Sequence, residues 1–308
     1  MRIYIQPGKY VAGPHVFRNR LVRAISKYSK SVVVSDLSEK FDIEIGFIKF
    51  SKKHKRPTLL RLDGCYYDKN RLKLNDGLKK SINKANGVIC QSHFSKKMCE
   101  AIMNVNLKKA DIVYNGIDFD DVSNIKSMSG VPEGSFVSCS VWRPNKRPIS
   151  IIRGFLEGTT SEHLYMIGDN LKNGIKDSRV HYLGPLTWEQ SISVMKSCKY
   201  MIHLCHIDSC PNAVIEGLSC GLNVLCTNLG GTSEIVKNDG IILNVDKWNY
   251  TPVKSMEFDN LDNKVVAEGI NRLKKITTLP QREDLNIKYT VKKYLERAEK
   301  IMSCQNHK

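Results

Sequence analysis

The sequence predicts an α/β protein of two domains, each a parallel sheet with helices on both faces. Three observations predict it. The chain has 308 residues, which is long for one ordinary core and comfortable for two. Short runs rich in Ile and Val alternate with helical patterns along nearly all of it, as strands buried on both faces require. That alternation lapses once, between Asp118 and Glu133, where Asp, Ser, Asn, Gly and Pro crowd together.

The elements follow in order. Strand patterns fall at 2–6, 31–35, 43–47, 58–62, 87–91 and 111–114, with helical patterns at 15–30, 76–85 and 94–103 between them. The second half repeats the scheme, with strands at 136–141, 164–167, 180–183, 200–204, 223–227 and 241–243. Its helices are expected at 148–156, 187–197, 212–219 and 231–236. After Asp262 the chain turns helical and basic. In 288–302, Val291, Tyr294, Leu295 and Ala298 form one apolar stripe, which has to dock on a domain surface. The expected division is therefore a Rossmann-like domain over 1–122, a second over 123–285, and a helix over 286–308 that returns to the first.

Composition narrows the class. With 41% apolar and 26% charged residues the chain has the balance of a globular protein. No stretch approaches the ~20 apolar residues of a membrane-spanning helix, and the N-terminus runs directly into a strand. Ten cysteines, several inside apolar strand patterns, read as buried thiols of a reducing compartment, so a cytoplasmic location is expected.

Charge is uneven. Of the net +17, residues 1–125 supply +12, from 24 Lys and Arg against 12 Asp and Glu. A basic first half favours anionic partners such as nucleic acid, a peripheral membrane surface or phosphorylated substrates; a solvated Lys-rich surface explains it equally. No zinc finger or RNA-recognition aromatic pair accompanies the charge.

His203, Cys205, His206 and Cys210 form the richest cluster of metal-ligand types. They lack the paired spacing that closes a tetrahedral shell, and a strand over 200–205 would put His203 and Cys205 on one face with His206 on the other. No metal is expected there.

The densest chemical signal is Asp208-Ser-Cys-Pro-Asn-Ala-Val-Ile-Glu216, then Gly-Leu-Ser-Cys-Gly221, then Gly230-Gly-Thr-Ser-Glu234. A strand ends at a loop carrying an acid, Pro211 suits a first helical turn, and a helix runs on to Gly221. The start of such a helix, with Asn212 and Ala213, offers backbone N–H groups and a partial positive charge to a phosphate. It would lie at the C-terminal edge of a parallel sheet, where open α/β folds bind ligands. Glu216, one turn along, is in reach of a ribose.

These residues resemble the donor half of glycosyltransferase family 4, in which two acids enclose seven residues and a Gly-Gly-x-x-Glu turn follows. Ile112-Val-Tyr-Asn-Gly-Ile-Asp118 is similar to that family's segment closing the first domain, and Val141-Trp-Arg-Pro-Asn-Lys-Arg147 to its basic diphosphate loop. The resemblance covers most of 110–236. It implies two Rossmann-like domains facing a central cleft, the GT-B architecture, with an acceptor domain first and a nucleotide-sugar donor domain second. It also implies transfer of a sugar to an acceptor hydroxyl with retention of configuration and without a required metal.

By the same resemblance Glu216 would hold the ribose hydroxyls, Lys146 the diphosphate with Arg143 beside it, and Asp208 the donor sugar. Asp208 is shorter than the Glu usual there, and Val141 stands where many members place an Arg. In the first half, Gly13 matches the family's glycine loop, though a plain strand-to-helix turn explains it as well. Asp63 sits on a loop at a strand end, where it would assist the acceptor hydroxyl or bond its own backbone in a turn. Ser92 is placed to cap the helix beyond it. The cluster Asp118, Asp120 and Asp121 looks like a metal-binding D-x-D but falls in the inter-domain stretch and reads as a turn. Rival readings are a nucleic-acid-binding or DNA-glycosylating protein and a sugar-nucleotide epimerase or phosphorylase on the same scaffold.

Overall fold

The computed structural model of the chain describes residues 1–8, 14–51, 54–169, 171, 174–254 and 258–306. It divides into two contact units: Met1–Asp118 with Asn249–Ser255 and Glu283–Lys308, and Phe119–Trp248 with Met256–Arg282.

The first unit opens with β1 (Arg2–Tyr4), α1 (Pro14–Tyr28), β2 (Val32–Val34), β3 (Ile43–Phe47) and β4 (Thr58–Leu62). It continues through α2 (Asn75–Lys84), β5 (Gly87–Cys90), α3 (His93–Met103) and β6 (Asp111–Ile112). All six strands are parallel, in the order β2-β1-β3-β4-β5-β6, the flavodoxin-like arrangement with its switch point between β1 and β3. Ile3, Ile43, Ile45, Leu59 and Ile89 fill the sheet centre because each strand is covered on both faces and needs no polar side. Ser92 caps α3 through a reciprocal capping box with Ser95.

The second unit contains α4 (Phe119–Ser123), β7 (Phe136–Cys139), α5 (Pro148–Gly158), β8 (Leu164–Ile167), β9 (Val180–Gly184) and α6 (Trp188–Ser197). Then come β10 (Tyr200–His203), α7 (Asn212–Ser219), β11 (Asn223–Thr227), α8 (Gly231–Val236), β12 (Gly240–Leu243) and α9 (Asn263–Leu273). Its strands are again parallel, in the order β12-β11-β10-β7-β8-β9. This is the doubly wound dinucleotide-binding order, which reverses direction between β7 and β10. Phe136, Phe155, Leu164, Tyr200, Ile202 and Val266 build its core.

The last helix, α10 (Ile287–Asn306), belongs to the first unit. Ile287, Val291, Tyr294 and Ala298 are buried in the same cluster as Phe17, Leu21 and Ile25 of α1. Among 118–133, Asp120 and Asp121 open α4 instead of forming an irregular turn, and Asp118 accepts hydrogen bonds from Lys27 and Tyr28. All ten cysteines are free thiols. No helix among the described residues is long and apolar enough to cross a membrane.

Candidate active site

The switch point of the second sheet is where two adjacent strands send their loops in opposite directions, leaving a crevice at their C-terminal ends. The loop after β7 is held from both sides. Ser140 N–H donates to Ile167 O at 3.0 Å and Trp142 N–H to Asp169 O at 3.0 Å. That approach is possible because residue 168 is glycine: its φ is 123°, and a Cβ there would lie 1.7 Å from Ser140 O. The loop ends in a 3-10 turn, Pro144–Lys146, whose Asn145 carbonyl accepts from His206 N–H at 2.9 Å. The turn is thereby tied to the loop leaving β10.

This tie brings Lys146 to Asp208. Lys146 Nζ lies 2.5 Å from Asp208 Oδ2, with the side chains 17% and 19% exposed. Beneath them His203 Nε2 lies 3.9 Å from the same oxygen, and it is buried with no hydrogen-bond partner. Cys205 shares the site, its Sγ 3.2 Å from Ile207 O. The Asp208 loop is fixed in turn by Gly231 N–H, which donates to Asp208 O at 2.7 Å. Gly230, with φ 104°, comes so close that a Cβ would stand 2.9 Å from that carbonyl.

Burial and charge set the protonation states. Burial opposes the Lys146 ammonium, but the Asp208 charge outweighs it and holds the lysine above its ordinary range. For Asp208, burial pushes upward and the Lys146 charge more than reverses it, leaving an ionised carboxylate. Burial, then the Lys146 charge, depresses His203 to about 4, so it is neutral near pH 7. Burial lifts the Cys205 thiol to about 11, so it stays protonated.

Asn212 and Ala213 open α7 and are half-buried, while Glu216 is buried one turn on. The N-cap is Pro211, which has no side-chain oxygen to give the first-turn N–H groups. Glu216 stands beside the end of β7: after burial, its carboxylate is the next cause that pushes the Cys139 thiol up to about 12. Arg143 is exposed on extended backbone just before the 3-10 turn. Gly13 lies outside the described residues.

His203, Cys205 and Asp208 bring one ligand-type atom each within 4.8 Å of one another. The Lys146 ammonium already pairs with Asp208 there, so a cation entering would have to displace it. Of the four residues weighed from sequence, His206 turns instead to Asp246, with Nδ1 2.7 Å from its Oδ1. In the sequence His203 stands out only as a metal-ligand type; its place on the face of Cys205 is the signal for a site role.

In the first unit, Asp63 is ion-paired with Arg61, a fully buried guanidinium that also donates to Gln91 Oε1 at 3.0 Å and Asn115 Oδ1 at 2.7 Å. The Asp63 carbonyl accepts from the Gln91 amide. Arg61 lies over the ring of Phe17, 4.4 Å from its centroid, and so gathers the loops after β4, β5 and β6. Asp63 is therefore held by a charged partner and not in a self-bonded turn.

Comparison with known proteins bears on the family and the fold. Residues 162–287 match the model of the family described as glycosyl transferases group 1. The chain is 24% identical over 228 residues to an uncharacterized glycosyltransferase of Methanocaldococcus jannaschii, covering 70% of this chain and 61% of that one. It is 24% identical over 174 residues to the N-acetylgalactosamine-N,N'-diacetylbacillosaminyl-diphospho-undecaprenol 4-alpha-N-acetylgalactosaminyltransferase of Campylobacter jejuni, covering 51% of this chain and 47% of that one. It thus spans 61% and 47% of the length of these curated relatives. Among solved structures, a glycosyltransferase from Rickettsia africae superposes with a TM-score of 0.63 at 13% identity, over 98% of both chains. The Anabaena protein HepE, solved in complex with UDP-glucose, does so at 0.61 and 14% identity, over 98% of this chain and 97% of that one. The fold is that of two-domain GT-B glycosyltransferases.

Proposed function

We propose that the protein transfers a glycosyl group from a nucleoside-diphosphate sugar to an acceptor hydroxyl, with the donor held by the second unit. One observation carries the reading: a partly buried ammonium, Lys146, stands with Asp208 at the β7/β10 switch point, on the sheet edge where α7 begins. As the bond from the anomeric carbon to phosphate breaks, the sugar gains positive character and the diphosphate gains negative charge. Lys146 and the first-turn N–H groups of α7 at Asn212 and Ala213 would stabilise that charge without reorganising; one such donor is typically worth about 10²–10³ in rate. Arg143, exposed and one turn away in sequence, would reach the same phosphates from solvent.

Asp208 takes the donor-sugar hydroxyls in this reading, and Glu216 the ribose. Neutral His203 keeps an uncharged floor under the pair, because a second proton on its ring would repel Lys146. The UDP and UDP-glucose complexes of the fold neighbours favour a uridine nucleotide. Family 4 membership is supported by the spacing of Asp208, Glu216 and Glu234, and retention of configuration is what that resemblance implies. In the first unit, Asp63, steadied by Arg61, would orient the acceptor hydroxyl. The Campylobacter relative's name and the +12 carried by residues 1–125 favour an acceptor bearing a lipid-linked diphosphate. A fixed ammonium on Asp208 supplies the charge a divalent ion would otherwise bring, so no metal is invoked.

The test is incubation with a panel of nucleoside-diphosphate sugars, with and without polyprenyl-diphosphate-linked glycans, reading free nucleoside diphosphate. Acceptor-dependent release supports transfer. Release of an altered sugar nucleotide without acceptor supports an epimerase instead.

A further inference from the structure

We infer that Arg147, Asp246 and His206 form a clasp that fixes the turn presenting Lys146, so that Arg147 is a positioning residue for that lysine; its catalytic consequence rests on the donor-site reading of Lys146. Arg147 follows Lys146 directly, and its backbone has φ 53° and ψ 49°. A non-glycine residue enters the left-handed region at a cost and stays there only where its surroundings over-determine it. Here they do. Arg147 Nη1 donates to Asp246 Oδ2 at 2.8 Å and Nη2 to Oδ1 at 2.7 Å, a two-pronged pair in which both side chains are under 5% exposed.

The clasp grips the turn on both sides of the lysine. Arg147 Nε donates to Asp259 O at 3.2 Å, while His206, 2.7 Å from Asp246 Oδ1, donates its backbone N–H to Asn145 O at 2.9 Å. Residues 145 and 147 are thus pinned, and only the side chain between them is left to reach Asp208. Asp246 does not drift either, since Asn228 Oδ1 accepts its N–H at 2.9 Å and Asn228 Nδ2 donates to its carbonyl at 2.9 Å. The ring of Phe258 stacks on His206 with centroids 3.9 Å apart, closing the outer side. A buried ion pair of this kind is better suited to fixing one geometry than to adding stability. Fixing geometry matters here, because a misplacement of about 1 Å can cost about 10²-fold in rate.

The test uses the full chain labelled with ¹⁵N at lysine. The Lys146 ammonium should give an exchange-protected resonance, identified by its loss in Lys146→Arg. In Arg147→Met/Asp246→Leu, which removes both buried charges together, that resonance should vanish while the melting temperature and the other resonances stay near wild type. Turnover should fall about 10²-fold, with a smaller change in donor KM. Arg147→Lys keeps the charge but cannot make two parallel bonds; it should fall between, and it decides the matter if the double variant does not fold. A Lys146 resonance unchanged in these variants, or no protected resonance in the wild type, overturns the clasp. A wild type that turns over no nucleoside-diphosphate sugar would sink the donor reading instead, leaving the resonance result to judge the clasp.

Discussion

Lys146 Nζ and Asp208 Oδ2 meet at 2.5 Å although the residues are 62 positions apart and leave different strands. The contact exists because β7 and β10 are neighbours at the point where the second sheet reverses its winding. A cation and an anion are thereby fixed on the sheet edge that binds ligands in open α/β folds.

Removing the cation should therefore have two separable effects. Lys146→Met is expected to lower turnover about 10²–10³-fold. It should also cost about 1–3 kcal/mol of stability, because Asp208 is left partly buried without its partner. Adding Asp208→Asn should restore much of the stability and none of the turnover. Urea titrations and initial rates on the two variants check both.

The second expectation concerns acid. His203 titrates at about 4 in the folded chain against an ordinary 6.5, from burial first and the Lys146 charge second. The unfolded chain therefore binds the extra proton at higher pH than the folded one. Stability from this group is complete above pH 6.5 and is lost as pH falls toward 4, on the order of 3 kcal/mol in all. His203→Gln, which does not titrate, should flatten that part of the curve of unfolding free energy against pH. A wild-type curve that matches the variant's between those limits would contradict it.

Backbone at Gly230 should be equally exacting. With φ 104° and a would-be Cβ 2.9 Å from Asp208 O, Gly230→Ala is expected to cost about 1–3 kcal/mol and to shift the Asp208 loop. Lowered melting temperature together with weakened donor binding is the outcome to look for. Gly221→Ala, where φ is 85° but no atom lies within 4 Å, should lose stability without losing donor affinity.

In the first unit, Arg61→Met should be among the most damaging single changes, at about 3–5 kcal/mol, since it strips a buried charge from Asp63, Gln91 and Asn115 together. Asp63→Asn retains a hydrogen-bonding side chain and should destabilise less while depressing acceptor-dependent turnover. Chemical denaturation of the two variants ranks them.

Much of the fold was legible because local signals agreed with the tertiary ones. The β3, β4, β8 and β11 patterns coincide with the observed strands, each an apolar run closed by turn residues. The helix at Asn212–Ser219 also coincides, because Pro211 and the Gly221 turn punctuate it. Sheet order was not legible: nothing local distinguishes a second strand that joins the edge beside β1 from one that crosses it. The role of Arg61 was not legible either, since Gln91 and Asn115, which take up its hydrogen bonds, are 30 and 54 residues away. Nor does any residue pattern announce that Arg147 adopts a glycine-like backbone; only its pairing with Asp246, 99 positions on, explains it.

The most direct test of the donor site is calorimetric titration of nucleoside diphosphates into the wild-type chain, Lys146→Met and Glu216→Gln. One nucleotide per chain is expected, with uridine diphosphate preferred. Loss of the Glu216 charge should weaken it by about 1.5–3 kcal/mol, and loss of Lys146 by at least as much. Equal affinity in all three proteins, or no binding of any nucleoside diphosphate to the wild type, would contradict a donor site at the β7/β10 edge.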